Sequence, residues 1–302
     1  MAAIAAVLYG AQSLRLAEES SRQQYQLVRR EQAVERFARA AEVLGGADST
    51  AQGRLGAIYS LDQIAGEFPG DRFKVVSVVA AFLREQDHSG VPGVVITARN
   101  CAGRGSDSLN PPRLGEEFKA AVALVVRYNH LGEFADEAVD LSYTCLEGVR
   151  LQRRGVGYID FSGASLAFAE LGGNDLTTVK FSNTDLGDAQ LGGSSLRGSV
   201  LSGLRLTRAS FLHSNLEGAR IGNCAADGSG WEGAVLRQAE FHNVDLSGAH
   251  LSEADLTGAT LRQVTLNGAD LTGATLTGVQ FDGVRYDAKT KWPVGFSPPP
   301  SS

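Results

Sequence analysis

Five histidines and three cysteines are the residues of this 302-residue chain best suited to metal or nucleophilic chemistry. His88 and His130 fall near expected helix ends, and His213, His242 and His250 fall in a repetitive C-terminal half. His242 and His250 occupy outward positions on different sides of that repeat, so they do not converge on a metal or a substrate. Cys101, Cys145 and Cys224 lie far apart with no CxxC spacing. That argues against a zinc site or a disulfide framework and fits a reducing compartment. Ser142, Ser162, Ser182 and Ser202 recur every 20 residues, and they read as a hydrogen-bonded surface ladder rather than a row of nucleophiles. The string RNCAGRGSDS at 99–108 has glycines but lacks the strand-to-helix context and the Lys-Ser/Thr of a phosphate loop. No catalytic, metal or cofactor-binding residue is assigned, no cofactor is expected, and the chain is read as a non-enzyme.

What positions these residues is a period of five. From Leu141 to Tyr286 every fifth residue is large and apolar, with one exception at Ala226. The 30 centres comprise 20 Leu, 5 Phe and one each of Val, Ile, Trp, Tyr and Ala. Neither a helix of period 3.6 nor a strand of period 2 produces this, so the segment is a repeat architecture. Two residues before a centre the chain is nearly always small, and two residues after it half the positions are Gly. Ala254-Asp255-Leu256-Thr257-Gly258 shows the unit, A-x-L-x-G.

This pattern resembles the pentapeptide-repeat family. The resemblance implies a right-handed quadrilateral β-helix in which each pentapeptide is one side of a square and four make a coil. The residues agree: one large and one small side chain fill the inside of a side, and Gly relaxes the limits on φ where the corner turns. Four units per coil predict a 20-residue column. Phe161, Phe181, Phe241 and Phe281 share one column, and Phe211 precedes Trp231 by 20 residues. At a strand spacing of about 4.8 Å those rings come close enough to stack. With Leu246 and Leu256 they are the expected structural core. Around Gln152–Tyr158, with Arg154 at an inward position, the first coil should be irregular. The stretch Gly222–Gly230, with Cys224 inward and Ala226 as its centre, should be an underfilled coil that Trp231 helps to fill.

The N-terminal part reads as helical. One helix is expected from about Ser13 to Leu44 with Val34, Phe37, Ala41 and Leu44 as its buried stripe. A second runs from Ala51 to Glu67 on Leu55, Ile58, Leu61, Ile64 and Ala65, and a third follows Asp71 as N-cap up to Gln86. His88–Leu114 reads as a connection, and a helix from Glu116 to His130, with Phe118, Val122, Val125 and Val126 inward, should cap the first coil. The domain reading is therefore residues 1–12 as a short apolar N-terminus, 13–87 as a region of three helices and 88–138 as linker plus capping helix. Residues 139–286 form the β-solenoid, and 287–302 a C-terminal cap with Trp292 and Phe296 followed by a disordered SPPPSS tail. The fold class is thus mixed: an all-β quadrilateral β-helix behind an α-helical region.

The strings ERFARAAEVLG, RLGAIYSLDQIA and VVSVVAAFLRE look like the helical region of actinobacterial membrane-anchored pentapeptide-repeat proteins, in which transmembrane helices come first. Here AAIAAVLYGA supplies only about ten apolar residues where a span needs about 20. It is either the end of a transmembrane helix that starts upstream of Met1 or an apolar helix end that touches membrane or protein. Arg15, Arg22, Arg29 and Arg30 after it suit the cytoplasmic side, although Glu18, Glu19 and Glu31 intervene.

Some members of the resembled family mimic duplex DNA and bind DNA gyrase. Mimicry needs aligned acidic columns, whereas residues 141–286 carry 15 Asp or Glu against 11 Lys or Arg. The outward column Asp140, Asp160, Lys180, Val200, Arg220, Glu240 changes sign twice, which forfeits the complementarity that steers association. No basic stripe offers direct nucleic-acid binding. The favoured reading is a protein-interaction scaffold at the cytoplasmic membrane face, with an unknown protein partner and room for a homodimer. The DNA-mimicking gyrase binder is the alternative.

Overall fold

The computed structural model describes residues 2–85, 114–129, 138–151 and 155–302, with side chains from residue 12 on. His88, Cys101, the 99–108 string, His130 and Arg154 lie outside the described residues. The chain forms two compact units, Met1–Val75 and Val76–Ser302.

In the first unit α1 (Ala2–Gly45) is one helix of 44 residues. It runs unbroken through the boundary placed at residue 12. Among the described residues no helix is long and apolar enough to cross a membrane. The buried stripe of α1 is Ala33, Ala40 and Leu44, with Phe37 half-buried, and not the expected one: Val34 is 60% exposed. Spacings of four, three and four track the helix repeat better than the three, four and three that begin at Val34, and two alanines permit close approach to α2 (Ala51–Glu67). Thr50 caps α2, its hydroxyl accepting from the Gly53 N–H at 3.1 Å. Ala57, Ile58, Leu61, Ile64 and Ala65 form the buried face of α2, and Leu55 is half-buried. A 3-10 turn, Pro69–Asp71, leads into α3 (Arg72–Glu85). The Asp71 carboxylate, expected as an N-cap, is gripped by both Arg30 guanidinium nitrogens and approached by Lys74 at 3.5 Å.

In the second unit Phe82 of α3 stacks on Phe118 of α4 (Glu116–Asn129) with centroids 5.5 Å apart. Helix α4 buries Val122, Leu124, Val125 and Val126. Its last residue, Asn129, donates from Nδ2 to the carbonyls of Val156 at 3.0 Å and Tyr158 at 3.1 Å in the first coil. Arg84 of α3 pairs with Asp140 of that coil.

The solenoid begins with β1 (Val139–Asp140) paired to β2 (Ile159–Asp160). It continues through β3 (Val200–Ser202), β4 (Arg220–Ala225), β5 (Glu240–Asp245), β6 (Thr260–Arg262) and β7 (Gln280–Asp282), parallel and in that order. Every register shift between these strands is 20 residues, as in Leu201↔Ile221↔Phe241↔Leu261↔Phe281. Three further columns of parallel bridges, starting at Cys145↔Ser165, Arg150↔Glu170 and Gly155↔Asp175, supply the other sides of the square. One long bond, Val156 N to Asp175 O at 3.5 Å, marks the first coil, where the frame is least regular.

All centres from Leu141 to Leu271 are buried. Phe161, Phe181, Phe211, Phe241, Leu246 and Leu256 are each 1% exposed and Trp231 is 0% exposed. Phe211 and Trp231 stack with centroids 4.1 Å apart and planes 8° from parallel. Beside Ala226 the indole also meets Phe241 edge-on at 6.3 Å and donates to Ser229 Oγ at 2.7 Å, so its polar atom is satisfied inside. Phe281, in the last coil, is only half-buried; Trp292 at 6.2 Å and Phe296 at 6.0 Å lie against its ring.

The corner position, two residues after the centre, takes left-handed backbone in most units. Gly supplies it at sites such as Gly258 (φ 70°), yet among the described residues eleven non-glycines also adopt it, including Asn183 (φ 55°) and Phe168 (φ 60°). Only Gly reaches this region without steric cost, so the closed ladder on either side imposes the conformation on the others.

Candidate functional site: the lateral surface of the solenoid

The outward residue just before each centre is where most of the surface chemistry sits. Where it is Asp, its Oδ1 accepts the backbone N–H two residues on. Examples are Asp140 to Ser142 at 2.9 Å, Asp175 to Thr177 at 3.1 Å, Asp245 to Ser247 at 3.0 Å and Asp255 to Thr257 at 3.0 Å. The same oxygen accepts the hydroxyls of Ser142, Thr177, Ser247 and Thr257 at 2.6 to 2.7 Å. These are Asx turns closed by a hydroxyl. Ser142 therefore bonds within its own side, and the serine column is not a ladder running from coil to coil at that position.

Charges of opposite sign meet between neighbouring coils. Asp185 receives Arg205 at 2.6 Å, Asp188 receives Arg208 through two bonds of 2.7 Å, and Glu170 receives Arg150 at 2.8 Å. Lys180–Asp160, Arg197–Glu217, Arg220–Glu240, Arg237–Asp255 and Arg262–Asp282 continue the theme at 2.5 to 3.8 Å. Exposed pairs of this kind are worth about 0.2–1 kcal/mol each. Along the described surface they set a cation beside a carboxylate of the neighbouring coil. The sign changes along each column were visible in the sequence. Reading them at the 20-residue lag identifies every one of these partners except Arg237–Asp255, which are 18 apart.

Among the described residues one acid, at the C-terminal end, is strongly perturbed. Asp270 is held at a pKa of about 2, first by the bond from Lys291 Nζ (2.8 Å) and then by the Thr272 hydroxyl and N–H. A carboxyl whose folded pKa lies below its unfolded value stabilises the fold above that value, 3.8, and loses the contribution as pH falls toward about 2. Lys291→Met should move the Asp270 titration up toward 3.8 and shift acid unfolding of the last coil to higher pH. Carboxyl carbon shifts followed by NMR across that range check it.

Of the histidines, His250 Nδ1 stands 3.9 Å from Glu232. Among the described residues no group of three or more His, Cys, Asp or Glu could hold a metal. Burial raises the thiol pKa of Cys224, which remains free. Cys145 is disulfide-bonded, with its partner outside the described residues. This departs from the expectation of three reduced thiols, because spacing along the chain says nothing about which cysteines the fold brings together.

In the helical unit an apolar groove of about 580 Å³ lies among Arg22, Gln23, Gln26, Leu27, Arg30 and Phe68. Arg29 and Arg30 lie over the Phe68 ring at 5.9 and 5.1 Å and bind Glu67 and Asp71. Two of the four arginines that follow the apolar N-terminus are therefore engaged within the unit.

The model of the family described as pentapeptide repeats matches eight copies, over residues 158–198, 184–223, 214–252 and 249–285. Among solved structures the chain is similar to a pentapeptide repeat protein of the Arabidopsis thaliana thylakoid lumen, at 27% identity over 30% of this chain and 66% of that one, with a TM-score of 0.29. It thus spans 66% of that protein's length. It is also similar to HetL, a pentapeptide repeat protein involved in heterocyst differentiation regulation from the cyanobacterium Nostoc sp. strain PCC 7120, at 22% identity over 48% of this chain and 90% of that one, TM-score 0.25. A trypsin-treated form of QnrB1, a plasmid-mediated fluoroquinolone resistance protein, matches at 17% identity over 48% and 90%, TM-score 0.25. No curated protein sequence matches the chain. With the period of five, the four columns of bridges and this match, residues 158–285 are a pentapeptide-repeat solenoid.

Proposed function

We propose that the chain is a non-enzymatic protein-interaction scaffold, the lateral surface of its solenoid docking a protein partner while the N-terminal helices hold it at the cytoplasmic face of a membrane. The observation that carries the scaffold reading is the internal pairing of the surface. Arg150, Lys180, Arg197, Arg205, Arg208, Arg220, Arg237 and Arg262 each meet a carboxylate of an adjacent coil. That leaves a rigid surface of hydroxyls, amides and compensated charge, suited to short-range polar docking.

The same pairing weighs against mimicry of DNA. Purified protein is expected to leave gyrase supercoiling unchanged at concentrations where an acidic mimic acts. Potent inhibition that weakens with added salt would overturn the scaffold reading in favour of the gyrase binder. The membrane part rests on the apolar start of α1 and on Arg15 and Arg22 behind it. Fractionation of cells expressing the chain should recover it with membranes, released by detergent rather than by salt; recovery wholly in the soluble fraction would remove the membrane from the proposal. Trapping thiols with an alkylating agent at lysis tests the face. Cytoplasmic placement expects Cys145 reduced in the cell, and a fully oxidised Cys145 would put the rod on the other side.

A further inference from the structure

The rod ends on a strand edge, and the chain's own tail lies along part of it. Within the solenoid each coil's side exchanges two kinds of bond with the next. On the side centred at Leu246 and Leu266, Arg285 N–H donates to the Val264 carbonyl at 2.9 Å, and Leu266 N–H donates to the Arg285 carbonyl at 2.7 Å. One coil further on no pentapeptide is left to continue the pattern. Instead Ser302 N–H donates to the Val284 carbonyl at 3.0 Å, and Tyr286 N–H donates to Ser301 Oγ at 3.1 Å. Ser301 Oγ also donates to the Tyr286 carbonyl at 3.2 Å, and the Tyr286 hydroxyl donates to the Pro299 carbonyl at 2.6 Å. The run SPPPSS, expected to be disordered, thus lies where a ninth unit would stack on this side, beyond the eighth centred at Tyr286.

We propose that residues 297–302 are a removable edge guard, and that displacing them opens the C-terminal edge to end-on association with a second copy of this chain. Three observations point to that function and occupant. The guard meets the backbone groups of Val284 and Tyr286 that would otherwise continue the ladder. Pro298, Pro299 and Pro300 have no N–H, so the tail cannot offer a strand of its own for further pairing. The exposed edge has the side length and bond spacing of a pentapeptide coil, and what matches that is another coil of the same kind. Trp292 and Phe296 cover the apolar centre from within the same segment, so the guard acts on the backbone edge while the aromatic residues act on the core. The proposal is independent of the partner proposed above.

Sedimentation velocity on the full chain and on a form lacking 297–302 tests it. The shortened form is expected to dimerise at concentrations at least tenfold below any at which the full chain does. Amine cross-links between copies should join Lys289 or Lys291 to the same residues of the other copy. Tyr286→Phe, which keeps the ring and removes the bond to Pro299, should fall between the two. A shortened form with unchanged circular dichroism that sediments as the full chain does would overturn the proposal, as would cross-links confined to Lys74 or Lys119. If the shortened form loses β signal, Tyr286→Phe decides: an intact fold with the sedimentation of the full chain at every concentration rejects the guard.

Discussion

Leu246→Asp is expected to abolish the cooperative thermal transition of the solenoid, whereas Ser182→Ala should shift its midpoint by no more than about 1 °C. Leu246 is 1% exposed, with centres on the same side directly above and below it in the stack. A carboxylate placed there has neither water nor a donor, and the cost is on the order of several kcal/mol. A domain's whole stability is about 5–15 kcal/mol. Because each coil is stabilised mainly by its neighbours, losing one exposes the apolar cross-sections on both sides of it. Ser182 faces outward and its replacement leaves the ladder untouched. Far-UV circular dichroism melts of the two variants check the pair, and equal tolerance of both would contradict the inside and outside assignment.

The second large effect concerns the N-terminal end of the solenoid. Removing residues 1–130 should leave a rod that retains its β signal but associates through its first coil. Removing residues 1–75, the first compact unit, should leave the rod monomeric. The difference lies in α4 and the end of α3. Asn129 satisfies the carbonyls of Val156 and Tyr158, Arg84 binds Asp140, and Phe82 with Phe118 forms an aromatic contact beside them. Without these residues the first coil presents unpaired backbone groups and an open apolar section, which invites edge association. Light scattering at increasing concentration distinguishes the two truncations. A 1–130 deletion that stays monomeric with an unchanged melting temperature would show that the helices do not cap the rod.

These expectations draw unequally on the sequence. The period of five, the inward centres and the phenylalanine column could be read directly, because burial inside a square leaves one allowed residue class at each fifth position. Helix boundaries were uneven: α2 occupies the stretch anticipated for it, Ala51–Glu67, whereas α1 starts at Ala2 and not near Ser13. The face of α1 was less so. Val34 is the more hydrophobic choice, but Ala33 is the one buried, because close packing against α2 selects for size over hydrophobicity. The hydroxyl of Ser142 could not be assigned from its 20-residue column alone. Two acceptors compete for it, and the Asp two residues earlier is closer than the next coil. Pairing of Cys145 was beyond reach, since spacing along the chain does not say which cysteines meet in space.

The charge ladder also has a consequence for how such a surface can be altered. Asp185 and Asp188 are each tied to an arginine 20 positions later and Glu170 to one 20 positions earlier, so the surface is written in couplets. Swapping Asp185 and Arg205 together keeps the couplet legible, while changing either alone leaves a mismatch that neighbours on the same coil cannot mend. A designer seeking a new binding face on this rod would therefore edit at a lag of 20, moving whole columns as text is moved by the line, and would expect single-letter edits to read as errors.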